Sequence, residues 1–250
     1  MTERTGTARG MVVAIDGPSG AGKSTVARML AERLGYLYID TGAMFRAVAL
    51  AVRRAGVAPD DEDALDRVCR GLEISFERDD GAYRVLANGE DVSEAIRTPE
   101  ISLLTSRIST RKAVREVLLH EQRRMGSTGN VVLEGRDIGS VVFPDADVKF
   151  FLSASAEERG RRRYLELRAK GEDVSLEKTI EEVAARDARD ERREHAPLCR
   201  AEDALLIDST GVSVEEVLRR MERLVRDREA ARRLSAGGCG DGFCGNVEGA

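Results

Sequence analysis

One stretch of eight residues limits what this chain can fold into more than any other feature. Gly17-Pro18-Ser19-Gly20-Ala21-Gly22-Lys23-Ser24 spells G-x-x-x-x-G-K-[ST]. It follows the apolar run Val12-Val13-Ala14-Ile15-Asp16, which reads as a buried parallel strand, and opens a helical pattern from Lys23 to about Leu34. A polyphosphate has to lie against backbone N–H groups, where side chains would obstruct it, so the loop is glycine-rich. The helix start adds free N–H groups and the positive end of a dipole. Gly17, Pro18, Ser19, Gly20, Ala21, Gly22, Lys23, Ser24 and Thr25 therefore form a candidate ATP cradle. Lys23 is placed to reach the β- and γ-phosphates and Ser24 to ligate Mg²⁺, with Asp16 at the strand end as a second metal-side candidate. A chance glycine-rich turn would need neither the strand before it nor the helix after it. The motif implies a nucleoside triphosphate and leaves the reaction open.

Further short apolar runs occur at Leu37 to Asp40, Val131 to Glu134, Val148 to Leu152 and Leu205 to Asp208, all separated by helical patterns such as Ala43 to Arg54. This alternation predicts an α/β fold, a five-stranded parallel sheet of the P-loop type flanked by helices. One stretch breaks the rhythm. Leu72 to Glu77 and Ala82 to Ala87 alternate apolar and polar residues around Asp79-Asp80-Gly81, and Asn88-Gly89 follows. We read a small antiparallel insertion at about 72–97. The stretch at about 157–195 is densely charged and carries two helical patterns, which read as solvated faces. The tail from Ser235 is glycine-rich and without period, so 236–250, like 1–10, is expected to be disordered.

Composition narrows the partners. With 40 basic and 45 acidic residues the formal charge is −5, which disfavours broad nucleic-acid binding. The four cysteines form no CxxC pair, so neither a disulfide framework nor a zinc ribbon is indicated. The apolar run Ala47 to Val52 is too short to span a bilayer, and the first residues lack the apolar core of a secretory signal. The expectation is a soluble, cytoplasmic monomer that binds no membrane.

Three uses of a triphosphate compete: a switch GTPase, a mechanical ATPase and a small-molecule kinase. None of the asparagines, Asn88, Asn130 and Asn246, begins the N-K-x-D that would read guanine. Mechanical ATPases usually carry a long apolar strand ending in Asp or Asp-Glu, whereas the strand here ends Glu134-Gly135-Arg136-Asp137. Arginine placement favours a kinase. Arg46 and Arg136 follow strand ends, where ligands of open α/β sheets sit. Arg159, Arg162 and Arg163 share one helical pattern, and Arg186 and Arg193 another.

The blocks GPSGAGKST, YIDTGAMFRAVA, LEGRDIGSVVFPDADVKFFLSAS, RDARDERREHAPL and ALLIDST, in this order from about Met11 to Leu224, resemble the bacterial cytidylate kinases. The GRDIGSVVFP block is specific to that family. Thr41 stands where the family often has Ser, which keeps the hydroxyl. The resemblance implies one kinase domain at 11–235, with a monophosphate-binding region at about 41–110 that holds the insertion, and a lid at about 157–195. It implies transfer from ATP, with Mg²⁺, to CMP or dCMP. By motif position, Thr41, Arg115 and Asp137 would read the cytosine edge, and Arg186 and Asp190 would reach the sugar hydroxyls. Arg46, Arg136 and Arg193 would hold the CMP phosphate, and Lys23, Arg162 and Arg163 would surround the transferred group. Asp190 and Arg193 also have the spacing of an i,i+3 ion pair. Two other readings stay open: a different P-loop metabolite kinase, and a nucleotide-binding regulatory module without transferase activity.

Overall fold

The computed structural model describes residues 9–79, 82–169, 171–192 and 197–237. Five parallel strands, β1 (Val12–Asp16), β2 (Leu37–Asp40), β6 (Val131–Gly135), β7 (Val148–Ser153) and β8 (Leu205–Asp208), form a sheet in the order β2-β6-β1-β7-β8. Every residue of β1 and β6 is buried. Successive side chains point to opposite faces, so the central strands feed two cores. Val13, Ile15, Val132, Phe150 and Leu152 pack with Val26 and Leu30 of α1 (Lys23–Leu34) and Leu218 and Met221 of α8 (Val214–Gly237). Val12, Ala14, Val131 and Leu133 face α2 (Thr41–Arg54) and α5 (Lys112–Gly126) through Met44, Val48, Val114 and Leu118. The runs read as strands thus lie side by side, with their carboxyl ends on one edge.

The insertion is a separate three-stranded antiparallel sheet of β3 (Ile74–Asp79), β4 (Ala82–Ala87) and β5 (Glu90–Asp91). Asn88 and Gly89 both adopt positive φ, 51° and 79°, as an Asn-Gly hairpin turn requires. The first strand starts two residues later than its alternation suggests. Leu72 N–H donates to the Cys69 carbonyl, which spends Leu72 on the turn that ends α3 (Glu62–Arg70). A 3₁₀ turn and α4 (Pro99–Ile108) lead on to α5.

The charged stretch expected to form a lid is a helical hairpin, α6 (Ala156–Ala169) and α7 (Leu176–Glu191). Gly160 allows the two to touch, since a Cβ there would stand 2.4 Å from Ile180 Cγ1. The expected tails shrink at both ends. Arg9 pairs with Asp145 and Asp147, and Gly10 N–H donates to the Thr128 carbonyl, so these two residues belong to the fold. At the other end α8 continues through Gly237. Residues 1–8 and 238–250 lie outside the described residues.

The exit from β1 is sterically the tightest point. Gly17 has φ 147°, and a Cβ there would stand 2.0 Å from the Leu152 carbonyl oxygen of β7. Gly17→Ala is therefore expected to cost at least about 2 kcal/mol of stability. For a chain of this size that is a fall of roughly 4–8 °C in Tm, measured by calorimetry. An unchanged Tm would refute the constraint.

Candidate functional site

The four helices that start away from the glycine loop with a side-chain cap, α2, α3, α4 and α7, take it from Asp40, Asp61, Thr98 and Ser175. The helix α1 has none. Its N-cap is Gly22 at φ 91°, and its first turn carries no acid. Its leading N–H groups are left for an external anion. Lys23 is buried and folds back on the loop, where Nζ donates to the Pro18 carbonyl at 2.7 Å. Burial holds its ammonium well below the usual lysine range. The Arg136 charge adds to that fall, while Glu134 and Asp16 oppose it. An arriving phosphate would supply the counter-charge that this burial withholds.

Three neighbouring strand ends bring an acid to the same edge. Asp16, closing β1, accepts from the N–H groups of Ile138 (2.8 Å) and Gly139 (2.7 Å), one on each oxygen. It thereby pins the segment that follows β6. Burial pushes its carboxyl up to about 6, against those two hydrogen bonds. Glu134, near the end of β6, was not singled out as a site residue from the sequence. It is buried, accepts from Tyr38 Oη at 3.0 Å and interacts with Ser24; burial and then Asp40 raise its pKa. The signal for it was present, an acid ending a wholly apolar strand.

Asp40, closing β2, caps α2 through Ala43 N–H (2.7 Å) and pairs with Arg46 at 3.0 Å. Arg46 Nε is buried without a hydrogen-bond partner. Beside it, Thr41 Oγ1 donates to the Glu134 carbonyl at 2.7 Å. Arg115 of α5 pairs with Asp137, donates to the Ser109 carbonyl and lies over the Phe45 ring at 5.9 Å. The structure therefore gathers Thr41, Arg115 and Asp137 around the turn after β6, as expected. Arg136 pairs with Asp190 of α7 at 3.2 Å, and its charge lowers the pKa of Lys23, so the two cations lie within electrostatic reach of each other.

Asp190, expected at the sugar hydroxyls, is buried and pairs with Arg136. Arg193 lies outside the described residues. Arg186 is exposed on α7, and its charge also reaches Lys23. On α6, Arg162 sits at the cradle: it donates to the Ser209 carbonyl at 2.7 Å, and its Nη1 lies 3.9 Å from where a Cβ on Gly22 would be. Arg163 is exposed and pairs with Glu166 at 3.0 Å along its own helix, so the structure does not bring it to the cradle. Arg159, which the sequence left undecided, does reach it, donating to the Ser19 carbonyl at 3.0 Å.

Comparison with known proteins agrees with this geometry. Residues 13–227 match the family model described as cytidylate kinase. The chain is 69% identical over 223 residues to a Geobacter sulfurreducens protein named cytidylate kinase, across 89% of this chain and 96% of that one. It is 66% identical over 221 residues to one of the same name from Geobacter sp. strain M21, covering 88% and 95%. A Carboxydothermus hydrogenoformans protein, also so named, is 48% identical over 215 residues, covering 86% and 97%.

The raised carboxyl of Asp16 gives a pH signature. The folded protein keeps a proton to about 6 that the unfolded chain releases near 3.8. The stability this proton contributes is fully present below the lower value and is lost as pH rises through the upper one. Relative to Asp16→Asn, the wild type should lose Tm across that window and run parallel to the variant above about pH 7. A difference that stays flat throughout would show that Asp16 titrates as it does in the unfolded chain.

Proposed function

The chain belongs to the cytidylate kinase family, and on that premise we propose that it transfers the γ-phosphoryl group of ATP to CMP and dCMP, giving ADP with CDP or dCDP. The observation that carries this reading is the adjacency of two anion sites, the uncapped start of α1 with Lys23 and the arginine cleft of Arg46 and Arg136. Family membership does not favour a different metabolite kinase or a module without transferase activity. A coupled ADP-release assay across CMP, dCMP, UMP, AMP and shikimate tests the assignment. Turnover with AMP or shikimate and none with CMP would overturn it.

The acceptor is a phosphate oxygen, ionised near neutral pH, so no general base is needed. Catalysis consists of positioning and charge neutralisation. Lys23 and Arg162 meet the donor phosphates, and Arg163 is assigned to the closed lid. Arg46, Arg136 and Arg193 hold the CMP phosphate, and Arg186 lies at the sugar. Asp190 acts on the sugar side while it orients Arg136. The residues fit Mg²⁺: Ser24 is exposed at the head of α1, with Glu134 against it and Asp16 behind. Among the described residues no three His, Cys, Asp or Glu cluster as a metal cage, which suits an ion that takes most of its ligands from phosphate and water. When bound, Mg²⁺ draws charge from the β- and γ-oxygens. Among the described residues no helix is long and apolar enough to cross a membrane. A cytoplasmic monomer that binds no nucleic acid is the reading we adopt.

Base choice follows from the edge each base presents. Cytosine N4 donates and N3 accepts, which suits a carboxylate and a hydroxyl at N4 and a guanidinium near N3 and O2. Asp137, Thr41 and Arg115 are of those types. Uracil reverses both positions, and polar mispairing in a buried site discriminates by up to ~10⁴-fold. CMP and dCMP should therefore exceed UMP strongly in kcat/KM. Asp137→Asn should narrow that preference, because its amide can turn N–H₂ toward O4. A wild-type CMP/UMP ratio in the variant would move Asp137 from reading the base to holding Arg115.

The cradle has its own test. Lys23→Ala removes the charge aimed at the transferred group, and turnover should fall by at least ~10²-fold with the fold intact by circular dichroism. Near-wild-type turnover would refute the assignment of the cradle.

A further inference from the structure

Two carboxylates on one face of α7 reach out to opposite halves of the cleft. Asp190 holds Arg136, beside the acceptor phosphate site, and is 2% exposed. One turn earlier, Asp187 holds Arg159 of α6; each of these two residues is 7% exposed. Arg159 in turn donates Nη1 to the Ser19 carbonyl in the glycine loop and Nε to the Ala154 carbonyl. Its backbone lies directly on that loop, since a Cβ on Gly20 would stand 3.1 Å from Arg159 Cβ. Positions three apart on a helix are neighbours. One rigid turn of α7 therefore ties the donor loop, through Asp187 and Arg159, to the acceptor arginine, through Asp190.

The Arg159–Asp187 pair is also incomplete. Nη1 serves both the Ser19 carbonyl and Asp187 Oδ2, while Asp187 Oδ1 is buried with no hydrogen-bond partner. Arg159 Nη2 has no hydrogen-bond partner among the described residues. An orphaned buried acceptor is rare and calls for a reason. Here the missing donor belongs to the same guanidinium. A small rotation would turn the one-point contact into the two-point fork that arginine and carboxylate prefer, and it would draw Nη1 off the Ser19 carbonyl.

We propose that Asp187 is a positioning residue that couples the two substrate sites. Without nucleotide, Arg159 is shared between the loop and Asp187. When a triphosphate fills the cradle and Ser19 adjusts to it, Arg159 turns fully onto Asp187. This draws α7 onto α6, and Asp190 carries Arg136 into its acceptor position. Donor binding thereby tightens acceptor binding with no contact between Asp187 and either substrate. The proposal rests on the kinase reading given above.

Calorimetric titration of CMP, with and without a non-hydrolysable ATP analogue and Mg²⁺, tests it. In the wild type the analogue should tighten CMP by about fivefold or more, the lower end of ordinary coupling between sites. Asp187→Asn keeps the shape and removes the charge. It should leave the CMP Kd without nucleotide unchanged and bring the ratio within about twofold of one. If Asp187→Asn fails to fold, Arg159→Lys, which keeps the charge and loses the fork, takes its place under the same criterion. A variant that retains the wild-type ratio overturns the proposal, as does a wild type that binds CMP equally well in both states. A wild type that binds no CMP at all overturns the kinase reading itself, and the proposal with it.

Discussion

Parallel strands all end on one side of their sheet, and in this chain three neighbouring strands end there in or next to an acid. Asp16, Asp40 and Glu134 close β1, β2 and β6, which are neighbours in the order β2-β6-β1. Placing three carboxylates at neighbouring strand ends, two of them buried, is costly unless each is hydrogen-bonded or paired. The structure meets that demand with different partners for each. Asp16 takes two backbone N–H groups of the segment after β6, Asp40 takes the α2 N-terminus and Arg46, and Glu134 takes Tyr38 and Ser24. Those partners are what fix the turn after β6, the head of α2 and the side of the cradle.

The same logic governs the cations. Arg46, Arg115, Arg136 and Arg159 each rest on a carboxylate, Asp40, Asp137, Asp190 and Asp187. An arginine held in place has already lost much of its rotamer freedom, so a phosphate that comes to it meets a smaller entropic cost. Removing one acid from a buried pair is more damaging than the pair's net worth, because a charge is left behind without a partner. Lys23 is the exception: it leans only on the neutral carbonyl of Pro18, and its burial makes it the group with most to gain from an anion.

Much of this was legible in the residues. The strand, glycine loop and helix around 12–34 were read to the residue at both ends of the helix, because each is set by neighbours in sequence. The Asn-Gly turn of the insertion was equally local. Thr41, Arg115 and Asp137 came together as the family resemblance implied. Arg163, by contrast, is identical in type to Arg162 and next to it in sequence, yet it faces its own helix, because a one-residue step turns a side chain about a quarter of the way round. The start of β3 slipped by two residues, since the turn ending α3 claimed Leu72.

The sequence by itself determined the elements and the phosphate cradle, because strand alternation, glycine conformation and helix starts depend on residues within a turn of one another. Only the tertiary structure decided which acid holds which arginine. Asp190 is bonded to Arg136, 54 positions away. Arg159 finds Asp187 28 positions on, and Thr41 reaches the Glu134 carbonyl across 93. A chain rich in both signs offers each arginine several acids at helical spacing. The choice among them falls to the tertiary packing, which buries Asp187 and Asp190 of α7 beside Arg159 and Arg136.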